Sequence, residues 1–273
     1  MRLSIVTINY NNAEGLHRTL ESVASQTYRN IEHIIIDAGS TDGSVDIIKE
    51  YADKVAYPVV WSSEKDNGIY NGMNRGIKKA SKDYIQILNS GDILAAPDVT
   101  ERMAAALPDG AGILYGNMVK YDYSSNKIIG KSGEVDYSLQ NYYTGTINHD
   151  CCYIRRDLFD TYGLYDESLK IVSDWKWFLQ AIGLGNVKPV YADIDVTVFD
   201  ASGISESNLE LRNKERRHVL EELLPPAILA DYDVFSFPIS QYQRLQKYHL
   251  WGFVYFMERV LFKLEKWHIL CSK

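Results

Sequence analysis

The sequence predicts an α/β fold: a sheet, parallel in its first half and mixed beyond it, flanked by helices and followed by a helical C-terminal extension. Three observations carry this. Apolar runs of strand length alternate with amphipathic helical stretches over the first 90 residues. The runs are unbroken, as in parallel strands buried on both faces, rather than alternating apolar with polar. Each run closes on a cluster of polar residues, and in an open parallel sheet those strand ends line up along the edge where ligands bind.

Taken in order, Leu3 to Ile8 is the first run, closed by Asn9-Tyr10-Asn11-Asn12, and the helix after it carries Leu16, Leu20 and Val23 on one face. Ile31 to Ile36 is the second, ended by Asp37-Ala38-Gly39-Ser40; Asp42 or Ser44 caps the following helix, with Val45, Ile47 and Ile48. Val59 to Trp61 reads as a short third strand, Met73 to Ala80 as helix, and Tyr84 to Leu88 as a fourth strand ended by Asn89-Ser90-Gly91-Asp92. From Ile113 to about Asp150 the chain is rich in Tyr, Asn, Ser and Gly, which suits a mixed sheet and an acceptor-facing surface. Leu158 to Tyr162 and Trp175 to Ile182 read as short helices, and Val190 to Phe199 as a late strand pair. Glu206 to Leu224 is helical and charged, and breaks at Pro225-Pro226.

The composition removes several function classes. With 273 residues, 46% hydrophobic and 24% charged, the chain is of ordinary globular make-up. A net charge of −7 argues against a nucleic-acid partner, which needs a basic face. Three cysteines, Cys151, Cys152 and Cys271, make no disulfide framework and suit a reducing cytosol. No stretch reaches the roughly 18 apolar residues of a spanning helix, and Met1-Arg2 leads straight into a strand. A cytoplasmic protein is expected, with a peripheral place at the inner face of the membrane as an option.

Four polar loops therefore share one edge. Asp37 to Ser44 joins a strand to a helix whose N-terminus attracts negative charge, and Gly39 and Gly43 permit a tight path. A plain capping turn is the alternative for that loop taken alone. Ser63 to Asn74 is dense in acceptors and amides: Asp66, Asn71 and Asn74 suit hydrogen bonds to ribose and base, or a solvated turn. In Asn89-Ser90-Gly91-Asp92 the carboxylate suits Mg²⁺ or Mn²⁺ shared with phosphate oxygens. Farther on, Asp174 opens an aromatic-flanked helix, as a base toward an acceptor hydroxyl or as that helix's cap.

The motifs resemble a known family. Ser4 to Asn11, Leu20-Glu21-Ser22-Val23 with Gln26, and Ile36 to Ser44 are similar to the opening of family 2 glycosyltransferases. Ser63 to Ile77 and Leu88 to Asp92 continue the resemblance. It runs on through His149, Phe159, Gly163, Tyr165-Asp166-Glu167 and Asp174-Trp175 to Gly203-Ile204-Ser205, covering residues 3–206. It implies a GT-A fold, a nucleotide-sugar donor, a divalent cation (Mn or Mg) and inversion at the anomeric carbon. Carried over residue by residue, it implies Thr7, Asn9 and Tyr10 at the base, Asp37 at the nucleotide, and Asp66 and Asn74 nearby. Asp92 is implied at the metal, Asp174 as catalytic base, and His149 at the diphosphate or acceptor. The subgroup it is most similar to assembles bacterial surface polysaccharide, which implies a glycan or lipid-linked acceptor. Two positions depart from the common pattern: Ala38 stands where many members have a second Asp at the base, and Asn89 where the metal motif begins with Asp.

These readings divide the chain into residues 1–206, with a nucleotide-sugar half at 1–112 and an acceptor half at 113–206, and an extension at 207–273. A sugar-phosphate nucleotidyltransferase is the first rival. It would want a basic Gly-rich loop after the first strand, where this chain has Asn9 to Gly15 without Lys or Arg. A non-catalytic carbohydrate-binding protein is the second. In the extension, Leu250, Val254, Met257, Leu261, Leu264 and Ile269 recur near helical spacing, interrupted by Glu258, Arg259, Lys263 and Lys266. Such a helix fits a membrane interface, or packing on the main domain or on a second copy of the chain.

Overall fold

The computed structural model describes residues 1–135, 138–200, 208–247 and 251–271. The first part follows the expected alternation: β1 (Leu3–Asn9), α1 (Ala13–Ala24), β2 (Ile31–Asp37), α2 (Ser44–Lys54), β3 (Val59–Ser63), α3 (Ile69–Lys79) and β4 (Tyr84–Ile87). Then come β5 (Ile93–Leu94), α4 (Val99–Ala106), β6 (Ile113–Asp122), β7 (Lys127–Lys131) and α5 (Leu139–Thr144). A 3-10 turn over His149–Cys151 leads into β8 (Cys152–Arg155), α6 (Asp157–Tyr162) and α7 (Ser173–Phe178). The last helix continues as a π-helical turn, Leu179–Leu184, before β9 (Pro189–Asp200). Three helices follow: α8 (Leu209–Leu223), α9 (Pro226–Lys247) and α10 (Trp251–Cys271).

The described strands form one sheet in the order β3-β2-β1-β4-β8-β6-β9-β5, with β7 on β6. Strands β1 to β4 are parallel; β8 is antiparallel to β4 and β6, while β9 runs parallel to β6. The sheet is thus mixed and flanked by helices. One face of β1, with Leu3 and Ile5, packs with Leu16, Leu20 and Val23 of α1 in the core. The other face, with Val6 and Ile8, meets α3. There Gly76 has no room for a side chain, because a Cβ would collide with Val6. That close seat explains why α3 begins four residues before the periodic run at Met73. Gly68, Gly72 and two asparagines mask the helical pattern in sequence, and packing on the sheet overrides their low propensity. Asn71 and Asn74 therefore lie on a helix and not in a loop.

The expected late strand pair is a single twelve-residue strand, β9. Its register against β6 shifts around Gly116, where a Cβ would come within 2.5 Å of the Ile194 carbonyl oxygen. The bulge brings Asp193 and Asp195 together, and Asn117 Nδ2 donates to both carboxylates at 2.9 and 3.1 Å.

The chain divides into two compact units, Met1–Val219 and Leu220–Lys273. In the second, Leu220, Leu224 and Leu229 are buried, while Phe253, Phe256, Met257, Leu261 and Leu264 of α10 are exposed. No described helix is long and apolar enough to cross a membrane. The Gly203-Ile204-Ser205 stretch and Leu250 lie outside the described residues, as do the side chains of Lys266 and Ile269.

Candidate active site

The edge at the carboxyl ends of β1, β2 and β3 is assembled by register. The ladders pair Asn9 with Asp37 and Asp37 with Ser63, so three polar residues stand in one row. Asp37 is fully buried and takes five hydrogen bonds: from Asn9 Nδ2 (2.8 Å), the Gly39 and Ser40 amides (3.1 and 2.9 Å), and the Ser40 and Ser63 hydroxyls (2.6 Å each). Burial pushes its carboxyl up, but the donors of Ser40, Ser63 and Asn9 outweigh that and hold it below the usual carboxylate range. Asn9 Oδ1 in the same row is buried and unpartnered. The loops after β1 and β2 are laced together: the Asn11 amide donates to Ser40 Oγ, the Thr41 amide to Asn11 Oδ1, and the Ala13 amide to Asp42 Oδ2, each at 2.7–2.8 Å. Tyr10 stands at the tip, 65% exposed, as a free aromatic face.

Three other expected donor residues make hydrogen bonds within the fold. Thr7 Oγ1 faces the buried His33 ring, 2.9 Å from Nε2. Asn74 Nδ2 donates to the Tyr165 carbonyl and to Glu167, and its Oδ1 accepts from the Tyr165 amide, which ties α3 to the turn before α7. Asp66 accepts the Gly68 amide at 2.9 Å and shapes the entry to α3.

The loop Asn89 to Asp92 is joined to the first loop by Asn12 Nδ2, which donates to the Ser90 carbonyl at 3.0 Å. Behind it the chain gathers ionisable groups from four places. His149 Nδ1 lies 3.1 Å from Asp174 Oδ2, and its Nε2 lies 3.2 Å from the Asn89 side-chain amide. Tyr70, from α3, donates to Asp174 Oδ1 at 3.0 Å. Asp92, 4% exposed, accepts the Asp200 amide at 3.1 Å. Asp150, equally buried, accepts the Thr197 hydroxyl at 2.5 Å.

The electrostatics of this cluster follow from burial and mutual charge. Burial works against charge on His149, yet the Asp174 hydrogen bond and charge, with Asp150 and Asp92, push it up to about 9. An imidazolium needs an acceptor at each nitrogen. Asn89 Oδ1, buried without a partner, supplies the second when the amide turns over. Burial raises Asp174 too, but the His149 and Tyr70 bonds hold it below its ordinary value, so it is ionised. Asp92 behaves oppositely: burial and the Asp150 charge push it well above the carboxylate range.

Among the described residues, no group of three or more His, Cys, Asp or Glu side chains is arranged to hold a metal by itself. The surroundings of Asp92 nonetheless fit a hard cation that arrives with its own phosphate and water ligands, which needs only one or two carboxylates. A buried acid beside a second acid lacks the positive charge that would ionise it.

Sequence reasoning did not assign Tyr70, Asp150 or Asp200 to this cluster, and it places Asn89 only at the start of the metal motif. Asp200 had a usable signal, since it closes an apolar run as Asp37 and Asp92 do. Tyr70 had none, because its link to Asp174 spans 104 residues.

The structure thus joins a mixed sheet, with a polar edge at its first three strand ends, to a half-buried His149–Asp174 pair beside the loop Asn89 to Asp92. The Glycosyl transferase family 2 profile matches residues 4–167. The chain belongs to that family and is a glycosyltransferase using a nucleotide-sugar. It is 32% identical over 210 residues to an uncharacterized glycosyltransferase of Mycobacterium tuberculosis, covering 74% of this chain and 76% of that one. It is 27% identical over 202 residues to a PGL/p-HBAD biosynthesis glycosyltransferase of Mycobacterium bovis, covering 73% and 77%. Among solved structures, S. aureus TarS 1–349 in complex with UDP-GlcNAc superposes with a TM-score of 0.64 at 20% identity, over 81% of this chain and 64% of that one. The mannosyltransferase PcManGT of Pyrobaculum calidifontis, in complex with GDP-Man and Mn²⁺, gives 0.60 at 17% identity, over 79% and 60%. Both share the GT-A-like fold. Family membership sets aside the nucleotidyltransferase and non-catalytic readings.

Proposed function

We propose that this chain transfers a sugar with inversion to the hydroxyl of a glycan or lipid-linked acceptor in bacterial surface polysaccharide synthesis, with a divalent cation at the donor diphosphate. The observation that carries the reading is His149, which spans from Asp174 to Asn89 in the acidic loop. One carboxylate is thereby fixed beside the place where a diphosphate and its cation would sit. The relatives support the substrate class: one is named for PGL/p-HBAD biosynthesis, and the two structures hold UDP-GlcNAc and GDP-Man.

In this reading Asp174 is the base. Its oxygens keep spare lone pairs beside the bonds from His149 and Tyr70, which fix the plane of the carboxylate. The acceptor oxygen attacks the anomeric carbon while its proton passes to Asp174. The bond from that carbon to the diphosphate breaks, and the electron pair leaves with the diphosphate. His149, charged at neutral pH, offsets the negative charge that develops there. Asp92 would hold the cation, which when bound supplies Lewis-acid stabilisation of the leaving group. Tyr10 offers a stacking face for the base, and Asp37 fixes the loop beneath it.

Asp174→Asn is expected to slow transfer by about 10²–10⁴-fold. Affinity for UDP- and GDP-sugars, read by thermal shift with Mn²⁺, stays near that of the wild type. Normal turnover with a large loss of donor affinity defeats the assignment.

The extension has its own part in this proposal. Phe253, Phe256, Met257, Leu261 and Leu264 are exposed at helical spacing on α10, with Arg259 and Lys263 between them. That mixture suits the surface of an anionic bilayer, where a lipid-linked acceptor resides. Full-length protein is expected to sediment with anionic liposomes, and a chain lacking residues 241–273 to remain in the supernatant. Full-length protein that stays in the supernatant as a dimer shows instead that the helix meets a second copy.

A further inference from the structure

Helix α8 is tied to the segment that leads into α7 by Glu215. This buried carboxylate accepts the Lys170 and Ile171 amides at 2.8 and 2.9 Å, in the segment that leads into α7. The same helix carries Arg212 and Arg216, one turn apart and so on one face. The Arg216 guanidinium carbon lies 4.9 Å above the centre of the Trp175 ring, and Nη1 donates to the Thr144 carbonyl at 3.0 Å. Its Nε is buried without a partner. Arg212 also has a buried, unpartnered Nε, and among the described residues neither arginine pairs with a carboxylate.

Such an arrangement is costly as it stands. Burial and the charge of Arg212 both work against the Arg216 guanidinium and hold it below its ordinary range; the Asp174 charge offsets only part of this. Unpaired half-buried cations are unfavourable, and a neutral carbonyl satisfies one N–H of ten. Two planar forks with free N–H groups match the oxygens of a phosphate, which each can hold bidentately. The Asp174 charge acts on the Arg216 guanidinium, so an anion held there lies within electrostatic reach of the proposed base.

We propose that Arg212 and Arg216 form a phosphate-binding site beside Asp174 that holds a phosphate group of a substrate during transfer. This rests on the transferase reading given above and adds a second anion site to it. The phosphate has two available sources, the diphosphate of the donor or a phosphate carried by the acceptor, and the chemistry at the arginines is the same for both.

The test uses the full chain and three variants: Arg212→Gln, Arg216→Gln and the charge-conserving Arg212→Lys. Binding of UDP and GDP with Mn²⁺, and of phenyl phosphate without nucleotide, is read by titration calorimetry. In the glutamine variants phenyl phosphate affinity is expected to fall about tenfold or more, the value of one charge-assisted pair. Arg212→Lys is expected to retain part of it, because the charge survives and the fork does not. If nucleotide affinity holds while phenyl phosphate is lost, the site takes the acceptor's phosphate; if both fall together, it takes the donor's. The Arg212 side chain makes no hydrogen bond among the described residues. Its replacement by Gln should therefore leave the melting temperature of the ligand-free chain unchanged or raise it, and it remains informative if Arg216→Gln folds poorly. Unchanged phenyl phosphate and nucleotide affinities in Arg212→Gln overturn the proposal, as does a wild type that binds no phosphate compound at all. A wild type that binds phenyl phosphate through these arginines but binds no nucleotide defeats the transferase reading alone.

Discussion

The two halves of the ligand edge handle buried carboxylates in opposite ways. Asp37 is surrounded by neutral donors from three strands and their loops and is ionised despite complete burial. Asp92, almost as buried, has one backbone donor and a second acid for a neighbour, and its carboxyl is driven up. The first region is electrostatically finished before any ligand arrives. The second balances only part of its charge through His149 and is completed by what binds. In the function proposed above this division suits a transferase, since a nucleotide is held unchanged while the charge around its diphosphate shifts during reaction.

The comparison can be broken with matched substitutions. The largest effect is expected from Asp92→Asn, which removes the one carboxyl group of the loop Asn89 to Asp92. Mn²⁺-stimulated turnover should vanish, while the melting temperature of the ligand-free chain holds, because burial and Asp150 already keep this acid un-ionised there. Near-normal stimulated turnover would reduce Asp92 to a turn residue. The same change at Asp37 should do the reverse. Asp37→Asn places an amide against donors from Asn9, Ser40 and Ser63, and is expected to lower stability by about 2 kcal/mol, read as a shift in denaturant midpoint. If the two variants melt alike, the two regions do not differ as described.

Legibility in the sequence splits along a similar line. Strands β1, β2 and β4 and the loops after them were readable because an unbroken apolar run that stops at a polar cluster is a local pattern. The edge itself followed from the rule that parallel strand ends align. Helix α3 reads late in the sequence because Gly72 and Gly76, which approach Ile8 and Val6 of β1, are invisible to a hydrophobic period. Strand β9 was split in two because the bulge against Gly116 breaks its alternation. Thr7 and Asn74 illustrate a different limit. A motif gives their position on the edge, but only the packed structure shows their polar atoms turned to His33 and Tyr165. The pairing of His149 with Asp174 and Asn89 was beyond reach, since nothing local predicts which distant loop a side chain will meet.

The row of Asn9, Asp37 and Ser63 has one more consequence, which concerns strand alignment and not binding. A strand with one wet face is aligned by its alternation, because a slip of one residue turns its apolar set outward. β2 has no such safeguard: all seven of its residues are buried, with Ile34, Ile35 and Ile36 in succession. A slipped β2 would still bury isoleucine on both faces. What it would lose are the polar partners across β1 and β2: Asn9 with Asp37, Thr7 with His33 and Ser4 with Glu32. The row at the strand ends is therefore one of the alignment marks of the parallel sheet, and a mutation there endangers the correct pairing of the strands.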